Sequence, residues 1–172
     1  SYGMNSIRRD DCQKDSALDW CYPKSPMSRL SVEQIRFFNA HQVAHLATVD
    51  NNKQPHVVPT CFALSDNHCY LSIDEKPKRV GPTELKRIRN IKINPSVALV
   101  IDRYSNDWSR LGYLLVQGRS RVLEKGREHA LAVQLLKERY KPYQSMDLEA
   151  RPIIAIDITN VVSWGNLNIT ND

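Results

Sequence analysis

The order and spacing of extended runs constrain this chain most. Runs that read as strands cover residues 43–49, 54–64, 67–74, 96–102, 111–124 and 153–162, and short turns join several of them. Asp50-Asn-Asn-Lys53 makes the first two a hairpin. Pro55 and Pro59 fall inside the second run, four apart and therefore on one face. Proline brings no N–H to a ladder, so this strand lies at a sheet edge or carries a bulge. Gly118 divides the long fifth run at a point where a closing sheet can bend. Three helical stretches interrupt the series. Ser31-Val-Glu-Gln34 is a capping box opening a helix to about residue 41, with Ile35, Phe37 and Phe38 as its apolar face. A second helix spans 83–92. A third spans 126–140, with Ala130, Val133 and Leu136 inward and Leu131 and Leu135 beside them. The order β-β-β-α-β-β-α-β, with hairpins and few crossovers, predicts a mainly β chain. Its expected form is an antiparallel six-stranded barrel with short helices at the ends.

Charge is concentrated in one place. Between residues 76 and 92 stand Lys76, Lys78, Arg79, Lys86, Arg87, Arg89 and Lys92 against one acid, Glu84. The segment therefore carries a surplus of six, whereas the whole chain carries +5. The rest is within one charge of neutral. Gly81-Pro82-Thr83 leads from a short extended part into the second helix, with proline placed for a helix start. A cationic turn opening into a helix N-terminus can hold a phosphate or a carboxylate, because Lys, Arg and backbone N–H groups converge there. The alternative is a solvated charged helix face.

At 172 residues the chain has the size of one domain. The mean hydropathy of −0.48 and the lack of an apolar run near the ~18 residues a membrane span needs point away from the bilayer. With no leader pattern at its start, the expected location is the cytoplasm. The expected organisation is an extension or arm over 1–26, a domain over 27–165 and a tail over 166–172. Cys12, Cys21, Cys61 and Cys69 contain no C-x-x-C pair. Cys61 and Cys69 sit in apolar runs as small core residues. His41 and His45 lack a metal-binding motif, and no metal is expected. His45 and His56 are expected to face each other across the hairpin. Tyr70, Tyr104 and Tyr113 could donate a proton, but aromatic residues in barrel strands usually pack. No P-loop, G-x-G-x-x-G or nucleophile elbow is present.

Several segments then match a known pattern in order. They are Val43-Ala-His-Leu-Ala-Thr-Val-Asp50, Gln54-Pro-His-Val-Val-Pro59 with Phe62, Asp74-Glu-Lys-Pro-Lys-Arg79 and Leu85-Lys-Arg-Ile-Arg-Asn-Ile91. They continue through Asn94-Pro-Ser-Val97, Asp107-Trp-Ser-Arg-Leu111, Val116-Gln-Gly-Arg119 and the closing run 156–164. Together they resemble the split-barrel superfamily of pyridoxamine-phosphate-oxidase-like proteins, and more narrowly its deazaflavin (coenzyme F420)-dependent branch. The resemblance implies a homodimer with a cofactor in each groove between subunits. It also implies hydride transfer from a phosphorylated flavin-type cofactor, F420 first and FMN as the alternative, to a small-molecule acceptor. Carried across, Lys76, Lys78, Arg89 and Asn90 hold the phosphate end, with Arg79, Lys86 and Arg87 as further cations. Val57, Val58, Pro59 and Thr60 lie along the ring, and Trp108 supplies a wall from the second subunit. A second basic motif near the C-terminus, which would grip a second phosphate, is absent; this points away from a vitamin-B6 phosphate oxidase proper.

Two other classes compete. A nucleic-acid binder would suit the pI of about 9.1, but aromatic residues are not interleaved with the cations as base stacking requires. A non-catalytic barrel carrying a cofactor, haem or tetrapyrrole would need no hydride acceptor. The oxidoreductase is the preferred reading.

Overall fold

The computed structural model describes residues 30–73 and 85–169. Three helices and seven strands follow in the order α1 (Val32–Ala40), β1 (Ala44–Val49), β2 (Pro55–Thr60), β3 (Phe62–Ser65), β4 (His68–Leu71), α2 (Lys86–Ile93), β5 (Ser96–Arg103), β6 (Gly112–Leu123), α3 (Arg127–Arg139) and β7 (Ile153–Gly165). All strand pairs are antiparallel, in the order β2-β1-β5-β6-β7-β4-β3.

The expected second strand is two strands, which makes seven rather than six. Cys61 alone separates β2 from β3, yet these stand at opposite ends of the sheet order. One residue can join the two edges only if the sheet curls until they approach. The result is a half-barrel, and the break at Cys61 is its seam. Pro55 and Pro59 do lie on an edge strand and on one face, as their spacing requires. Gly118 marks a register shift between β6 and β7. A Cβ there would stand 2.5 Å from the Asp157 carbonyl oxygen, so the strands can cross this closely only with glycine.

The seam is pinned from α3. The Tyr140 hydroxyl accepts the Phe62 N–H at 3.0 Å and lies 2.8 Å from the Gln42 carbonyl oxygen. Arg139 donates to the carbonyls of Asn39 and His41 and places its guanidinium over the Phe62 ring. Tyr140→Phe is expected to destabilise the fold by about 2 kcal/mol, because it strands a buried backbone N–H. Urea unfolding will show this as a lower midpoint at unchanged slope.

Two apolar clusters result. The barrel interior holds Phe37, Phe38, Leu46, Phe62, Leu99 and Ile156, and α2 closes it with Ile88 and Ile91. Outside the β3-β4-β7 side, α3 buries Ala132, Val133 and Leu136 against Ala63, Tyr70 and Ala155. The inward positions of α3 differ from the expected set. Ala130 is exposed, and His129 and Ala132 are buried instead. His129 can be buried because its Nε2 meets the Arg151 carbonyl at 2.7 Å. In α1 the capping box forms as expected; Phe37 and Phe38 are buried, while Ile35 stays at the surface. The segment 166–169 is docked, with Leu167 buried and Arg103 reaching the carbonyls of Asn166 and Asn168. Among the described residues no helix is long and apolar enough to cross a membrane.

Candidate cofactor site

The site is built where the β1–β2 hairpin meets the first turn of α2. Asp50 shapes the hairpin by accepting the N–H groups of Asn52 and Gln54, both at 2.9 Å. The Gln54 N–H above all, with that of Asn52 and the charge of Lys86, holds the Asp50 carboxyl below its usual range. Lys86 Nζ stands 3.7 Å from this carboxylate. On the next turn of the helix Asn90, only 2 % exposed, donates through Nδ2 to the buried Thr48 hydroxyl at 2.9 Å. These contacts fix α2 to β1 and hold its first turn over the hairpin. Leu85 is the N-cap and has no side-chain oxygen to satisfy the first N–H groups. Lys86 and Arg89, three apart on the helix, are both exposed. Exposed cations and a helix start uncapped by its own N-cap residue are an arrangement that can hold an anion.

Next to it lies His56. It pairs with Thr48 across the hairpin, on the inward face of β2. Desolvation first, then the charges of Lys86 and Arg87, lower the pKa of its imidazole. Its Nδ1 is buried without a hydrogen-bond partner among the described residues. His45 does not face it, contrary to expectation. His45 pairs with Pro59, three residue pairs along the ladder and on the other face, because strand side chains alternate.

The same alternation separates the four β2 residues expected along a ring. Val57 and Pro59 point outward and are exposed, while Val58 and Thr60 point inward and are half-buried. The outer face continues across the sheet. Registers align Pro59, His45, Val100, Leu115 and Val162 in one row, with Val57, Ala47 and Ala98 in the next. Tyr113 and Trp164 stack beyond them at 5.7 Å. Val57 is 60 % exposed, Trp164 54 % and Val162 42 %. Thus α3 covers the outside of one half of the barrel, and the outside of the other half presents a broad apolar surface. Patches of this kind mark interaction sites. Trp108, 75 % exposed, sits on a short 3-10 turn that Asp107 braces by accepting both the N–H and the hydroxyl of Ser109.

The structure therefore groups Lys86, Arg87, Arg89, Asn90 and His56 at the α2 end of the hairpin. Asn90 serves there as a tie to Thr48. Lys76, Lys78 and Arg79 lie outside the described residues. Sequence reasoning did not single out Asp50, Leu115, Val162 or Trp164 for a site. Burial alternates along 112–123 in the structure, but the apolar run Leu114-Leu-Val116 does not alternate in the sequence, so nothing there marked which face is left open. Elsewhere, Arg121 clasps Glu128 and Asp157 at 2.8–2.9 Å, and Tyr70 reaches Glu128 at 3.1 Å. This network ties β4, β6, β7 and α3 on the covered side. Arg121 is the main reason the Glu128 carboxyl is held below its usual range.

The curled sheet with its seam is a half-barrel of the split-barrel kind. The chain belongs to the pyridoxamine 5'-phosphate oxidase family, whose pattern matches residues 31–165. No curated protein matches the sequence. Among solved structures, a conserved hypothetical protein from Mycobacterium tuberculosis is similar with a TM-score of 0.65 at 18% identity, covering 83% of this chain and 88% of that one. An FAD-binding protein from Mesorhizobium loti is similar at 26% identity with a TM-score of 0.57, covering 81% and 97%. HutZ, the haem storage protein from Vibrio cholerae, shares the fold at 16% identity with a TM-score of 0.59, covering 80% and 95%.

Proposed function

We propose that this chain is a homodimeric split-barrel oxidoreductase that binds a phosphorylated flavin-type cofactor. F420 is the preferred cofactor and FMN the alternative; a small molecule is the hydride acceptor. One observation carries the reading: a fixed cationic helix start stands at the hairpin end of an edge strand whose outer side is apolar and open. Both halves of such a cofactor fit there. Lys86, Arg87 and Arg89, with Lys76, Lys78 and Arg79 from the preceding segment, would hold the phosphate by charge-assisted hydrogen bonds. Val57 and Pro59 would give the ring a dry surface, and Trp108 from a second copy would close it. The bound cofactor supplies hydride transfer; the protein orients it and keeps water from it. The acceptor binds on the ring's free side.

The open face supports the dimer reading. A strip of Val100, Leu115, Val162 and Trp164 on one copy meets the same strip on another around a two-fold axis. Val162→Arg is expected to convert a dimer to a monomer in sedimentation velocity. A wild-type monomer at micromolar concentration would remove the two-subunit groove from the proposal.

Fluorescence titration with FMN and, separately, with F420 tests the cofactor. Tight binding of F420 alone supports the deazaflavin reading. Tight binding of FMN moves the protein to the flavin branch. A second reading, a non-catalytic haem or tetrapyrrole carrier, draws on the fold shared with HutZ. It predicts a shifted Soret band on haem addition and no hydride transfer.

A further inference from the structure

We propose that His56 is an additional arm of the anion site, and that the anionic end of the ligand binds there together with one proton, taken up by this imidazole. The inference rests on the anion-site reading above and adds a residue and a linkage to it.

The geometry points to a missing partner. His56 Nδ1 is buried and makes no hydrogen bond among the described residues, although buried polar nitrogens nearly always have one. The element beside His56 gives it nothing charged, because its cross-strand neighbour on β1 is Thr48, whose hydroxyl already accepts from Asn90. β2 is an edge strand, so among the described residues no strand flanks it on the other side. From α2 it feels Lys86 and Arg87, both positive. The Asp50 carboxylate in the hairpin turn stands against Lys86. Partial burial first, and then these two cations, disfavour a positive charge on free His56.

A bound dianion reverses that balance. It answers Lys86 and Arg87, and a protonated imidazole, with both nitrogens as donors, then gains an acceptor for Nδ1. Binding should therefore be linked to proton uptake over the pH range between the free and the bound imidazole pKa. It should tighten as pH falls through that range.

The test is isothermal titration of the full chain with sulfate, inorganic phosphate and FMN between about pH 5 and 8, the range in which histidine charge changes. Sulfate does not titrate there, so its pH dependence belongs to the protein. We expect sulfate affinity to rise with falling pH, approaching tenfold per unit at its steepest. In His56→Gln that slope should vanish. Phosphate and FMN add their own titration, which is common to both proteins, so the difference between wild type and variant should match that for sulfate. Nuclear magnetic resonance of the wild-type histidine rings gives a reading independent of any variant: the His56 pKa should rise when sulfate is added. Equal slopes in wild type and His56→Gln, or an unmoved His56 pKa under saturating sulfate, would overturn the proposal while leaving the cofactor reading in place. Failure of all three ligands to bind would overturn both. Binding of sulfate and phosphate with the slope, but not of FMN, would keep the proton-linked anion site and turn attention to other phosphorylated ligands.

Discussion

Lys86→Ala combined with Arg89→Ala should weaken binding of the phosphorylated cofactor by roughly 100-fold or more, and the fold should stay intact. Each charge-assisted hydrogen bond to a phosphate is worth about 1.5–3 kcal/mol, so two together correspond to two or more decades in affinity. Little stability is at risk. Lys86 pairs with Asp50 at 3.7 Å on a partly exposed site, and surface pairs contribute about 0–1 kcal/mol. What holds α2 in place is the burial of Ile88 and Ile91 and the Asn90–Thr48 bond. Neither substitution touches these. The measurement is cofactor titration beside thermal unfolding by circular dichroism. Unchanged affinity with an unchanged melting curve would remove the start of α2 from the site. Lost affinity with a native melting curve would place it there.

The largest single loss of stability should come from Gly165→Ala. Gly165 ends β7 opposite Gly112 of β6. Its φ of 77° suits glycine, and a Cβ would stand 2.2 Å from the Leu111 carbonyl oxygen. The Asn166 N–H donates to that same carbonyl at 2.8 Å, so neither side can retreat without breaking the closure. Strain at the positive φ costs about 1–3 kcal/mol, and the clash adds about as much again. The expected loss is thus roughly 3 kcal/mol or more, a large part of the 5–15 kcal/mol that holds a domain together. Gly126→Ala separates the two causes. Gly126 also has a positive φ, of 101°, but nothing lies within 4 Å of where a Cβ would stand. Its loss should be that of strain alone. Equal losses at both positions in urea unfolding would show that the close approach of β6 and β7 is softer than these distances imply.

Much of this molecule was legible in local chemistry. The capping box at Ser31, the hairpin at Asp50, the bend at Gly118 and the edge position of Pro55 and Pro59 follow from short-range rules that few tertiary contacts override. The concentration of cations between residues 76 and 92 could be counted directly. Two features could not be read. The run 54–64 looked continuous because nothing in Cys61 marks a seam; the break exists because the strands on either side pair with opposite ends of the sheet. On α3, Val133 and Leu136 turn inward as expected, but His129 and Ala132 take the place of Ala130, since a helix with apolar residues on several sides takes its orientation from what it packs on.

The alternating strands by themselves determined that a two-faced antiparallel sheet would form, and the charge pattern determined where the cations concentrate. Only the tertiary structure decided which sheet face α3 covers and which stays open. It alone brought His56, Asp50 and Asn90 to the start of α2, because α2 packs on β1, whose Thr48 lies 42 residues from Asn90 along the chain. Periodicity and charge are properties of neighbours along the chain, whereas closure is a property of residues far apart in it.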